Sequence, residues 1–318
     1  MTLPNPPVLA AQMPTDVALR LLCRQQLRAI EEHRPGARQG RDPEELHDLR
    51  VAVRRTRSLL GEFRKFFPAE TAERFRCEFR WLGEVTGPVR DLDVYLEHLP
   101  GYRALLPADA ATALEPFRDF LQRQRRRERR CLVRWLDSAR LQRLLDDWRC
   151  FLAGSADGDW PERAGHPVGE VARRHIWKLY RRFIRQGESI TAGSPDRDLH
   201  RLRITGKKLR YLVEFFRPLY PPAEIDLLVK AMKGIQDFLG AYQDCTVQQE
   251  HLAAMAGQMA AEGNMPTTTE EMLSQLVAAL RRQQLQARRM FTGRFRVFSR
   301  GRGRRSFVRL YAPAEEIS

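Results

Sequence analysis

Two stretches decide how this sequence folds. His47-Asp48-Leu49-Arg50-Val51-Ala52-Val53-Arg54-Arg55-Thr56-Arg57 aligns with His200-Arg201-Leu202-Arg203-Ile204-Thr205-Gly206-Lys207-Lys208-Leu209-Arg210 after a shift of 153 residues, without a gap. In that register Leu59 meets Leu212, Phe63 meets Phe216, Arg64 meets Arg217 and Pro68 meets Pro221, so that eight of 22 aligned positions are identical. Arg54 and Arg55 meet Lys207 and Lys208, which keeps the charge. The shift holds farther on, through Gly87 and Gly240, Asp91 and Asp244, Val94 and Val247, and Glu97-His98-Leu99 and Glu250-His251-Leu252. An offset sustained over about 50 residues reads as an internal repeat: two helical halves facing each other across a pseudo-twofold axis.

Within each stretch the residues fall on a helix of about 100° per residue. With His47 at 0°, Arg50, Arg54 and Arg57 lie within about 80° of one another, one side chain wide. Leu46, Leu49, Val53, Leu60 and Phe63 gather on an adjoining face, and Arg55 flanks the stripe on the other side. The cations thus run beside the buried face, whereas solvated charge ordinarily lies opposite it. His200, Arg203, Lys207 and Arg210 repeat the pattern, with Lys208 flanking. Like charges at three- and four-residue steps repel by a few tenths of a kcal/mol per exposed pair, about the worth of an attractive pair. A bound polyanion relieves that repulsion; so do carboxylates from neighbouring helices, Asp91 and Asp244 among them. Neither histidine has a Cys, Asp, Glu or His at helical spacing that completes a metal site, so no metal and no cofactor is expected. They are either packed near a helix start or donors to the same anion. Neighbouring guanidiniums are expected to hold their pKa down until an anion arrives.

Outward from the stripes, apolar residues keep three- and four-residue steps almost throughout, and the fold class is all-α. Helices are expected over 16–34, 44–67, 70–86, 88–99, 109–134, 138–152, 168–187, 196–219, 222–239, 241–261 and 268–293. Asp42-Pro43-Glu44-Glu45 and Ser194-Pro195-Asp196 read as helix starts. Period-2 alternation is confined to Arg294-Phe295-Arg296-Val297-Phe298. Gly154 to Pro161 reads as a linker. The expected plan is a flexible N-terminus (1–14), a first half (15–153), a linker (154–167), a second half (168–298) and a loosely ordered basic tail (299–318).

Composition narrows the function classes. The 318 residues carry 55 Lys and Arg against 40 Asp and Glu, a net charge of +15, with 43% apolar residues. No apolar run approaches the roughly 18 residues of a membrane span. The start lacks a basic and an apolar signal region, and the five cysteines show no metal or disulfide spacing, so a cytoplasmic protein with reduced thiols is expected. All but six of the basic residues are arginine. Guanidinium is the better fork for phosphate oxygens.

The stripes, with Gly87, Arg90, Asp91, Asp93 and Val94 of a G-x-x-R-D-x-D-V segment, resemble the conserved histidine α-helical domain, over about residues 13–295. That resemblance implies two helical-bundle halves around a basic groove or pore that binds inorganic polyphosphate and associates with its granules. Its implied contacts are His47, Arg50, Arg54, Arg55, Arg57, His200, Arg203, Lys207, Lys208 and Arg210. The second half departs from the first at Gln243, opposite Arg90, and at Gly206, mid-helix. Secondary contacts are expected from Arg64, Arg90, Lys178, Arg181, Arg182, Arg185 and Arg217, and the Arg123–Arg130 run extends the basic surface or is merely solvated. Asp91 and Asp244 are expected to hold basic side chains in place or simply to cap; Gly87 and Gly240 are expected to allow turns or close backbone approach. Asp91 and Asp93, two apart on a helix, point away from each other and form no chelating pair.

The functional expectation is non-enzymatic binding of long-chain polyphosphate; no phosphate loop or acidic cluster accompanies the stripes. The alternative is an RNA-binding protein, which needs aromatic faces interleaved with the cations. Nucleic acid otherwise enters only as a competing polyanion. Chain-length preference and oligomeric state are not read from the sequence.

Overall fold

The computed structural model describes residues 8–107, 110–154 and 160–313. Among them the chain is helical, without strands: α1 (Thr15–Gln39), α2 (Pro43–Glu62), α3 (Ala69–Val85), α4 (Gly87–Arg103), α5 (Ala110–Ala113), α6 (Glu115–Leu136), α7 (Ala139–Ala153), α8 (Val168–Glu188), α9 (Asp196–Phe215), α10 (Pro222–Ala261), α11 (Thr267–Arg300) and α12 (Arg302–Tyr311). The 153-residue offset reappears in the element bounds. It carries α2 onto α9 at both ends, the 3₁₀ turn Arg64–Phe66 onto Arg217–Leu219, and the starts of α1 and α3 onto those of α8 and α10.

Where the halves diverge, single residues explain it. The helices expected over 222–239 and 241–261 are one continuous α10, and Gly240 sits inside it with open space around its Cα. Gly240 therefore makes neither a turn nor a close approach. In the first half the chain breaks at Thr86, and Gly87-Pro88 opens α4. Pro88 has no N–H to give and clashes with the preceding turn; Ala241, its counterpart, continues the helix. Gly206 also has its own reason: a Cβ there would come within 2.8 Å of the Phe183 ring of α8.

The two starts differ as well. Asp42 caps α2, accepting from the Glu44 N–H at 2.9 Å, with Pro43 in the first turn. α9 begins at Asp196 after Pro195, without a side-chain cap; the Ser194 hydroxyl accepts instead from the Thr191 N–H.

The apolar faces meet in two cores, and both draw on the two halves. The larger joins α1, α2, α3 and α7 to α8, α9, α12 and the first part of α10, around Leu59, Phe63, Phe183, Leu212 and Phe216. The smaller joins α4 and α6 to the far part of α10 and the start of α11, around Tyr95, Phe117, Phe120, Leu252 and Leu276. None of the five cysteines is in a disulfide, and burial raises the Cys23 thiol pKa well above its usual range.

The expected loose ends are ordered where they are described. Residues 8–14 dock on the start of α8, with the Val168 N–H donating to Met13 O at 2.8 Å and Gly169 to Ala11 O at 2.9 Å. Residues 1–7 lie outside the described residues, as do 155–159 of the linker. The linker's far side is anchored by Trp160, which packs on Phe67 and Phe151 with the Arg20 guanidinium 4.9 Å from its ring centre. Arg294–Phe298 is helical, with Phe291, Phe295 and Phe298 buried on one face of α11. The tail is helical over Arg302–Tyr311: α12 buries Phe307 and Tyr311 against α8 and α10, and residues 314–318 lie outside the described set. Its arginines mask a four-residue apolar step, Phe307 to Tyr311, that marks an amphipathic turn.

Phe307 is fully buried and stacks on Tyr180 at 4.2 Å. Phe307→Ala is expected to destabilise the protein by about 3–5 kcal/mol, read as a lowered midpoint in urea denaturation. A surface tail would show no change.

Candidate polyanion site

α2 and α9 lie side by side because each turns its leucine and phenylalanine stripe into the larger core. That packing leaves the cationic edges to converge. A groove of about 420 Å³ opens there, lined by Arg54, Arg57, Ser58, Gly61 and Glu62 of α2, Arg76 and Arg80 of α3, and Ile204, Lys207, Lys208 and Tyr211 of α9. Arg54 and Lys207, equivalent under the 153-residue offset, meet across it. Lys207 bears the result: burial first, then Arg203 and Arg54, lower its pKa to about 8, with Asp244 opposing weakly. Among the described residues no carboxylate is within ion-pair distance of Arg54, Arg57, Arg80 or Lys207.

The flanking cations do a different job. Arg55 is 9% exposed, pairs with Glu214 of α9, and has Tyr211 and Phe215 ring centres 5.8 Å from its guanidinium carbon. Lys208 reaches the other way, with Nζ 2.7 Å from Glu62 Oε1 of α2. The two crossed pairs lace α2 to α9, Arg55–Glu214 outside the groove lining and Lys208–Glu62 at its edge. Arg55, expected as a contact, is therefore a buried strut that does not line the groove. Lys208 still edges it, and Arg210 leans on Glu214 at 3.4 Å.

Arg50 is another strut. Its Nη1 donates to Gly83 O at 2.9 Å and to Thr86 Oγ1 at 3.0 Å, pinning α2 to the junction of α3 and α4. Burial and then the neighbouring guanidiniums disfavour its charge, and Asp91 supports it. Gly83 has a packing role: a Cβ there would lie 3.2 Å from an Arg57 nitrogen. Burial, then Arg80, lowers the Arg57 pKa.

The histidines lie up the same two helices. His47 is half-buried, and burial, then Arg90, lowers its pKa against the opposing pull of Glu44. His200 is exposed, with Nδ1 2.8 Å from Gln243 Oε1. Positions 90 and 243 thus face the histidine in each half, which gives the departure at Gln243 its structural meaning. Arg90 itself pairs with Glu97 at 2.8 Å and stands 3.8 Å from Glu44. Arg203 is 3.8 Å from Asp244.

The remaining expected residues scatter. Arg64 is exposed on the turn after α2, and its counterpart Arg217 pairs with Asp226 at 2.7 Å. Lys178, Arg181, Arg182 and Arg185 sit on α8, outside the groove lining. Asp91 is exposed, whereas Asp93 is buried and holds Arg125 of α6. The Arg123–Arg130 run is partly committed: Arg125 to Asp93, Arg127 to Glu262 at 3.6 Å, and Arg129 to Arg38 O at 2.5 Å. Arg76 and Arg80 of α3 line the groove and were not among the expected contacts. Their four-residue step, off the Phe75–Phe79–Leu82 face, was the available signal.

The comparisons agree with this architecture. The family model of the CHAD domain matches residues 22–253. The crystal structure of the CHAD domain from the plant Ricinus communis superposes with a TM-score of 0.73 at 26% identity, covering 91% of this chain and 95% of that one. PptA from Streptomyces chartreusis shares the fold, with a TM-score of 0.67 at 18% identity over 89% of this chain and 99% of that one. Proteins Rv2226 and MT2285 of two Mycobacterium tuberculosis strains are each 29% identical over 217 residues, 66% of this chain; the chain spans 40% of their length. Among the described residues, no helix is long and apolar enough to cross a membrane.

Two outcomes follow from the geometry. Glu214→Ala leaves the Arg55 guanidinium without its buried partner and is expected to cost about 3 kcal/mol in urea denaturation. For Lys207, the folded pKa of about 8 lies below the roughly 10.4 of an unfolded lysine. The unfolded chain therefore binds more protons between those values, and the anion-free protein gains stability as pH rises through that window. Lys207→Met is expected to raise the melting temperature at pH 7, with the difference shrinking toward pH 10.

Proposed function

This chain belongs to the CHAD domain family, and from that membership we propose that it binds long-chain inorganic polyphosphate, without turning it over, in the groove between α2, α3 and α9. The observation that carries the reading is the meeting of Arg54 and Lys207. Two helices from different halves bring equivalent cations together and partly bury them, with no carboxylate in pairing range. Such an arrangement is unfavourable in the empty protein and favourable around an anion. Arg57 and Arg80 add forked donors along the same wall, as a string of phosphates requires, and Arg76, paired with Glu73 at 2.6 Å, edges it. His47 and His200 extend the line up the two helices.

The donor set supports binding over catalysis. The groove's carboxylate, Glu62, is engaged by Lys208, and the geometry supplies no acidic pair beside the cations to organise phosphoryl transfer. It also favours polyphosphate over RNA. Tyr211, the aromatic residue of the lining, is 7% exposed under Arg55 and Arg210, so its ring does not offer a stacking face. In a cell, this binding would place the protein on polyphosphate granules, and through them beside other granule components.

The test is titration with long-chain polyphosphate. Arg54→Ala/Lys207→Ala is expected to weaken binding at least tenfold, and wild-type affinity is expected to fall steeply with salt as counterions are released. A bound anion favours the ammonium form of Lys207, so affinity falls as pH rises through about 8. Lys207→Arg is expected to keep binding and flatten that limb. A further gain in affinity as pH drops below the usual imidazole range reports His47. Unchanged affinity in the double variant, or tight RNA binding that polyphosphate does not displace, overturns the proposal.

A further inference from the structure

α8 carries a second row of cations that the groove does not use. Arg174, Lys178, Arg181 and Arg185 recur at four-, three- and four-residue steps, so they stack on one helix face over about 16 Å. All four are exposed. α12 forms the other wall. Arg304 and Val308 close a cleft of about 310 Å³ beside Arg181 and Arg185, and Tyr311 closes one of about 510 Å³ beside Arg174 and Lys178. Among the described residues no carboxylate pairs with Arg174, Lys178, Arg185 or Arg304, and the acid in these linings is Glu188. Arg174, Lys178 and Arg185 therefore have the same electrical character as the groove: stacked like charges with little to oppose them.

The row also connects to the groove. His175, on α8 between Arg174 and Lys178, stacks on Phe63 at 4.9 Å and meets Phe66 edge-on at 5.5 Å, at the end of α2. Burial lowers the His175 pKa, the 2.9 Å bond to Val171 O opposes that, and Glu62, which lines the groove, acts on the ring more weakly together with Lys178 and Arg174. The end of the groove and the beginning of the row thus meet around one side chain. Ring faces in the cleft are already engaged, since Trp177 stacks on Tyr180 at 5.4 Å and Tyr311 is buried. What the cleft presents is charge.

We propose that the α8–α12 cleft is a second polyphosphate surface, onto which a chain leaving the groove continues past His175 and Lys178. This rests on the polyphosphate reading of the groove. A chain anchored in the groove meets the cleft as an intramolecular partner at high effective concentration, so the two surfaces together select long chains.

The experiment titrates long-chain polyphosphate, at several salt concentrations, into the full chain and into Arg174→Gln/Lys178→Gln/Arg185→Gln. Arg304→Gln, on the opposite wall, is the second variant. The triple variant is expected to bind about tenfold or more weakly, with a shallower salt dependence because fewer phosphates are neutralised, and Arg304→Gln to shift both in the same direction. Triple-variant affinity and salt slope equal to wild type overturn the cleft while leaving the groove reading intact. A triple variant that keeps its polyphosphate affinity but loses single-stranded RNA assigns the row to nucleic acid and also overturns it. Wild-type protein that does not bind polyphosphate at all overturns the groove reading itself.

Discussion

A lysine, Lys207, partly buried among the cations Arg203 and Arg54 is the constraint on which the groove depends. Burial in the groove, then Arg203 and Arg54, disfavours the Lys207 ammonium, and its lowered pKa records that cost. The helices stay together because their other faces are committed. Leu59, Phe63, Leu212 and Phe216 are fully buried between them, and Arg55–Glu214 and Lys208–Glu62 lace them from opposite sides. The same helix pair therefore separates two kinds of cation by angle alone: a strut is one residue away from a free charge, on a different face.

The two halves repeat in register but not in detail, and the differences have local physical causes. A proline breaks the first half after Thr86, and Arg50 pins that buried junction; the second half runs through as α10. Gly206 makes room for Phe183, and the neighbouring strut is replaced by Gln236, whose Nε2 donates to Gly206 O at 2.6 Å. Arg90 faces His47 and Gln243 faces His200, so one histidine sits beside a cation and the other beside an uncharged amide. The groove is consequently built from equivalent positions with unequal electrostatics.

A binding surface of this type does not need a deep pocket. A flexible polyanion is held by many modest, screened contacts, and its affinity depends on how many cations remain available. Of the 55 basic residues, many are tied to carboxylates or backbone carbonyls on the outer helices, as Arg125, Arg34 and Arg140 are. Net charge alone is a poor guide to the site for that reason. Among the described residues, Arg54, Arg57, Arg80 and Lys207 in the groove and Arg174, Lys178 and Arg185 on α8 stand outside such carboxylate pairs.

Much of this was legible in the chain itself. Helical class, the internal offset and the placement of the two stripes follow from periodicity, because which residues share a helix face is a local property of backbone geometry. The start of α2 was legible too, since Asp42 and Pro43 act on their own turn. The uninterrupted run of α10 and the helix at 302–311 were not, because a lone glycine or an arginine-rich turn is resolved by what packs against it. Nor could spacing tell Arg54 from Arg55, or place Arg76 and Arg80 beside them, although their four-residue step marked a common face. Which cation is free depends on where a carboxylate some 159 positions away in the chain, Glu214, comes to rest. That distance is set only when the apolar faces close, so the sequence determined the helices and their charged edges, and the tertiary structure decided which charges were left for a ligand.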